Sequence, residues 1–231
     1  MLDLVGALAL SAAMVVAVAV VVGSAAISRQ AKLVAFALAA AWFAILAAVG
    51  SAGVTRIGPV PFVPLAFVLA VVAGALAWTT GPRFRAALRS VPLVALVGAN
   101  GVRVAGVFFL VLYAQHRLPA PFAQSAGIGD IVTGLGALAL VAYASRGGTV
   151  SPRLLAAWNA FGALDLVVAM TLGVVSQPGL PIQLFGASAS AITALPWMLI
   201  PTALVPFLLL THLAIAARLA APSAQPVAFA R

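Results

Sequence analysis

The chain has 231 residues, 65% of them hydrophobic and 6% charged, with a formal net charge of +9 and no cysteine. Such a balance excludes a soluble fold with a solvated surface, and the missing cysteine excludes disulfides, thiolate chemistry and Cys-ligated metals. Nor does the positive charge indicate nucleic acid, because the basic residues stand singly or in small groups between apolar segments, where they read as topology signals facing an anionic leaflet.

Seven apolar segments approach the ~20 residues that a helix needs to cross hydrocarbon. The first is Leu2–Val22. Its only charge is Asp3, and the basic residues Arg29 and Lys32 follow it. A cleaved signal peptide has its positive charge in front, so this helix is expected to be retained. The second is Leu33–Gly50 and the third Val60–Thr80, which Gly81-Pro82 ends. The fourth, Val91–Tyr113, carries Arg103 near its middle, and the fifth, Gly127–Ala144, carries Asp130. Ser151-Pro152 opens the sixth, Leu154–Val175, with Ser151 as N-cap and Pro152 at the first helical position. The seventh, Thr193–Ala217, has prolines at 196, 201 and 206, which predict a bent or locally open helix.

The predicted fold is therefore all-α: a single domain over residues 1–217, a bundle of seven transmembrane helices, and a short cytoplasmic tail at 218–231. Connectors alternate sides. One side collects Arg29, Lys32, Arg83, Arg85, Arg89, Arg146, Arg153, Arg218 and Arg231, the other only Arg56 and Arg117. The basic side is cytoplasmic, which predicts the N-terminus outside and the C-terminus inside, in a bacterial inner membrane. The outer connectors hold Pro59-Val60-Pro61-Phe62, Pro119-Ala120-Pro121-Phe122 and Gln177-Pro178-Gly179-Leu180-Pro181, expected as ordered interfacial turns or as a rigid cover over the bundle. Alanines four apart, Ala9, Ala13 and Ala17, then Ala40, Ala44 and Ala48, suggest close helix contacts, as do Gly101 and Ala105. Gly6-Ala7-Leu8-Ala9-Leu10 recurs as Gly136-Ala137-Leu138-Ala139-Leu140, a faint sign of an internal repeat.

The intramembrane charges are the functional clue. At ~1.5 Å per residue Arg103 and Asp165 both lie roughly 18 Å from the cytoplasmic side, near the midplane. Asp130 is expected only about one helical turn below the outer boundary. A guanidinium at that depth needs a partner, and either acid is within reach. Asn100 shares a face with Arg103, Trp158 shares one with Asp165, and Thr133 and Gly134 share one with Asp130, while Asn159 points partly away. Arg103, Asp165, Asp130, Asn100 and Trp158 are the candidate solute-binding residues. Such a pair also fixes helix register without further purpose. The second acid argues for more, because one arginine neutralises one aspartate, and the other has to be protonated, reach water or hold a cation.

The histidines are read as interfacial. His116 falls at the outer end of span four and His212 near the cytoplasmic end of span seven, too far apart to share a haem. There is no Glu and no His-based metal motif, and the only lysine, Lys32, excludes a buried retinal Schiff base in span seven. No cofactor is predicted.

Arg103-Val-Ala-Gly-Val-Phe-Phe-Leu, Leu118-Pro-Ala-Pro-Phe-Ala and Ala126-Gly-Ile-Gly-Asp130 resemble a family of uncharacterised bacterial multi-span membrane proteins. The likeness covers spans four to six and implies that Arg103 and Asp130 belong to one pattern. It implies no activity. The expected function is binding or passage of a small solute, proton-coupled, through a polar core. The alternatives are a membrane enzyme on a lipid or isoprenoid substrate, with Asp130 or Asp165 as general acid, and a non-catalytic assembly partner. A continuous polar path would favour passage, a blind apolar pocket ending at an aspartate the enzyme, and a bundle without a cavity the scaffold.

Overall fold

The computed structural model describes residues 1–58, 60–177 and 189–221. Seven helices in it are long and apolar enough to cross a membrane. Helix α1 (Leu2–Ser24) leads into α2 (Arg29–Ser51), which Ser28 caps by accepting from the Ala31 amide at 3.1 Å. A two-residue hairpin, β1 (Arg56–Ile57) with β2 (Val60–Pro61), precedes α3 (Phe62–Thr80). Pro178 to Pro181 and Arg231 lie outside the described residues.

Where the sequence suggested a plain connector, α4 (Pro82–Ser90) forms a short basic helix. Its Pro82 sits in the first turn, where an amide hydrogen has no partner to lose. Arg85 donates back to the carbonyls of Trp78 and Thr79 at the end of α3, at 2.6 and 3.1 Å. Arg218 donates to the carbonyls of Leu88 and Arg89 at the end of α4. Cations on orphan C-terminal carbonyls are favourable.

The fourth span has three parts: α5 (Leu93–Ala99), a 3-10 segment (Asn100–Gly106) and α6 (Val107–Ala114). Three residues per turn stack every third side chain in a straight line. Asn100, Arg103 and Gly106 accordingly all face inward and are buried.

Helix α7 runs Ala120–Ser145 and begins seven residues before the predicted Gly127. The second Pro-x-Pro-Phe is thus not a connector. Pro119 is the N-cap, Pro121 sits in the first turn, and Phe122 is buried, edge-on against Phe109 with ring centroids 5.4 Å apart. Helix α8 (Pro152–Val175) starts as expected, with the Ser151 hydroxyl accepting from the Leu154 amide at 3.2 Å.

The last span, by contrast, is shorter at its start than predicted. A 3-10 turn (Ser190–Thr193) is followed by a π segment (Ile200–Leu204) and then α9 (Val205–Leu219). Pro206 cannot donate to the Thr202 carbonyl four residues back. The Trp42 indole donates to it instead, at 3.0 Å, and ties α2 to this opened stretch.

Helix α2 otherwise touches little. Leu46 is its one buried residue, and Ala40, Ala44 and Ala48 face outward, contrary to the packing expected of them. In the first series Ala17 is fully buried and packs as expected.

The apolar core lies in two main blocks. One holds Leu96, Val97, Ala137, Leu140, Leu155 and Ile215, the other Phe109, Leu112, Phe122, Leu166, Trp197 and Leu208. Along span four, α7, α8 and α9 the sequence passes from one block to the other, and polar residues occupy the crossing in every case: Arg103, Asp130, Asn159 with Asp165, and His212. The end of the bundle that carries the N-terminus gathers Asp3, Arg117 and Trp197, where Asp3 Oδ1 accepts at 2.8 Å from Arg117 and 2.7 Å from Trp197.

Candidate functional site

Arg103 is 1% exposed and is the centre of the polar crossing. Its Nε donates to Asp130 Oδ1 at 2.6 Å, and one Nη to Asp165 Oδ2. The other Nη donates to the Gly162 carbonyl at 2.9 Å and to His212 Nε2 at 3.2 Å. A guanidinium has no acceptor, so His212 Nε2 must be bare. The ring proton is then on Nδ1, which donates to Asn159 Oδ1 at 2.9 Å. Asn159 Nδ2 in turn donates to the His212 carbonyl at 3.2 Å. The imidazole is therefore neutral, with its tautomer fixed from both sides.

Two backbone approaches make this geometry. A Cβ on Gly134 would lie 2.7 Å from the Val104 nitrogen and 3.1 Å from the Arg103 carbonyl carbon, so α7 presses directly on the 3-10 backbone. A Cβ on Gly129 would overlap the Asp165 carboxylate, so a bare glycine leaves the space the acid fills.

Arg103 thus binds both acids, not one of them. Because α7 starts at Ala120, Asp130 is ten residues into the helix, roughly 15 Å deep by the helical rise. The expected shallow position is corrected by that early start. His212 is 2% exposed and part of the network, not interfacial. Asn159 is 6% exposed and faces α9, so the expectation that it points away is also overturned.

Asn100 is fully buried but does not touch the guanidinium. Its amide donates to Thr211 Oγ1 and to the Leu96 carbonyl, both at 3.0 Å. Trp158 lies one layer out, with its indole donating to the Thr133 carbonyl at 3.1 Å and its ring centroid 5.6 Å from that of His212. The Thr133 hydroxyl, expected beside Asp130, has no hydrogen-bond partner among the described residues.

A cavity of about 40 Å³ lies beside the network, toward the end of the bundle that carries the N-terminus. Its walls include Val63, Phe109, Phe122, Leu166, Met170 and Ile200, and Asp130 is the one charged residue that lines it among the described residues. Gln177 and Thr193 are the other polar side chains among its described lining residues. A second void of about 10 Å³ lies between Arg103, Asp130, Leu10 and Leu208. Asp130 borders both spaces. Asp165, Asn100 and Trp158 border neither. No cluster of metal-ligating side chains occurs among the described residues.

Residues 60–220 match the family described as Domain of unknown function (DUF8737). The chain belongs to the DUF8737 family. The DUF8737 match begins at β2 and ends just beyond α9, so it takes in all of Arg103, Asp130, Asn159, Asp165 and His212 and leaves out α1 and α2. No curated protein matches this chain, and no solved structure does.

Proposed function

We propose that this DUF8737 protein binds a small solute in the cavity over Asp130 and passes it across a bacterial inner membrane, with the N-terminus outside and the basic connectors inside. The observation that carries the reading is a carboxylate, held from behind by Arg103 at 2.6 Å and the one charged group among the described residues at the edge of a mostly apolar cavity. Apolar pockets with a few fixed polar groups are the usual form of a small-molecule site. Lopsided basic connectors support the orientation.

Apolar walls that end at an acid are the arrangement expected of the enzyme reading, with Asp130 as general acid on a lipid or isoprenoid. Size counts against it. About 40 Å³ suits a compact group of a few non-hydrogen atoms and is far below the roughly 300–1,000 Å³ of ordinary ligand clefts. That is short of an isoprenoid chain.

The test is mass spectrometry of small molecules that co-purify with the protein in native lipid discs. A species held by the wild type should be lost from Ala169→Phe, which fills the cavity, and from Asp130→Asn. Identical extracts from all three proteins would overturn the reading.

A further inference from the structure

We infer that the solute is a small monovalent organic cation, and that the protein exchanges it for a proton. This rests on the binding reading above and adds the class of ligand and its coupling.

The argument starts from charge. Arg103 of span four faces Asp130 from α7, Asp165 from α8 and His212 from α9. His212 is neutral by its hydrogen bonds. Asp3 and Arg117, the nearest other pair of opposite charges described, bind each other at the end of the bundle. One guanidinium therefore meets two carboxylates, and with both ionised the centre carries one surplus negative charge. A buried charge without a counter-charge is costly. A second positive charge belongs here. It is either a proton on one carboxyl or a cation in the cavity that Asp130 borders. Each satisfies the same deficit, so each excludes the other.

The walls select the kind of cation. Hard metal ions take about six to eight oxygen ligands. Among the described residues, this cavity offers one carboxylate, with Gln177 and Thr193 as its other polar side chains. An alkylammonium needs less: one counter-charge, apolar contact around its carbon atoms, and aromatic rings such as Phe109 and Phe122. Binding then runs as carboxylic acid plus cation going to a carboxylate–cation pair plus a released proton. Charge is conserved at every stage, so the membrane interior never holds the bare deficit.

Tetramethylammonium is the probe, because it has no neutral form that crosses lipid unaided. Tert-butanol, of the same size and uncharged, is its control. In vesicles that contain the full chain and a trapped pH dye, an inward tetramethylammonium gradient should raise the internal pH. In detergent, binding should release about one proton per cation, and affinity should weaken about tenfold per pH unit on the acid side. Ala169→Phe, which leaves the polar centre untouched, should abolish both signals, as should Asp130→Asn. Binding of tert-butanol as tight as that of tetramethylammonium, with no proton release, would overturn the cation inference and leave the solute site standing. An equal response to sodium would overturn the organic class. No binding of either probe to the wild type, with a thermal unfolding profile unchanged by Ala169→Phe, would bring down both the inference and the site beneath it.

Discussion

Replacing Arg103 by methionine keeps most of the stem's volume and removes the guanidinium. Two carboxylates, the Gly162 carbonyl and His212 Nε2 then lose their donor together. Removing one partner of a buried ion pair costs about 3–5 kcal/mol. At roughly 2–4 °C per kcal/mol for a chain of this length, that is about 6–20 °C of melting temperature. The arrangement also dictates how the loss is repaired. Arg103→Met leaves a deficit of two charges, adding Asp165→Asn or Asp130→Asn leaves one, and the triple variant leaves none. Stability in micelles, followed by thermal unfolding, should therefore climb in two steps of about 1–2 kcal/mol each. Full recovery with one asparagine and none with the other would mean that Arg103 has a single partner. Losses that simply add across the series would mean that the three groups are not coupled at all.

Gly134→Ala should cost about 1–3 kcal/mol, because its Cβ meets the backbone of Val104 and Arg103, which cannot rotate away. Gly23→Ala, with nothing within 4 Å of its Cβ, should be neutral or gain up to about 1 kcal/mol in the same unfolding assay. His212→Phe keeps the ring's bulk but strands the Arg103 N–H and Asn159 Oδ1, and should lower stability by about 2–6 kcal/mol, or about 1–3 for each stranded group. Reporter fusions after Arg89 and after Arg153 should both score cytoplasmic; a periplasmic signal at either would defeat the proposed orientation.

The seven spans and the shared depth of Arg103 and Asp165 were legible because composition and the helical rise are enough to place them. Asp130 was misplaced for a traceable reason. Pro119-Ala120-Pro121-Phe122 reads as a turn by composition, yet prolines at the N-cap and first turn are what a helix start tolerates. The same rule places the start of α8 at Ser151-Pro152. His212 left no such trace. A lone histidine on an apolar helix has no local feature that distinguishes a wet end from a buried centre, and its partners Arg103 and Asn159 are 109 and 53 residues away. The 3-10 stretch was equally silent, because nothing in Asn100–Gly106 forbids an ordinary helix.

That stretch makes span four a screw with an unfinished thread. Rewinding the seven residues Asn100–Gly106 into α form would shorten the span by roughly 3.5 Å and turn one half against the other by roughly 140°, at 0.5 Å and 20° per residue. Arg103 sits at the middle of the thread, so half of that rotation would take its guanidinium off both carboxylates. The fixed nut is α7, whose Gly134 bears on the Val104 backbone and lets the thread turn only if it first backs away.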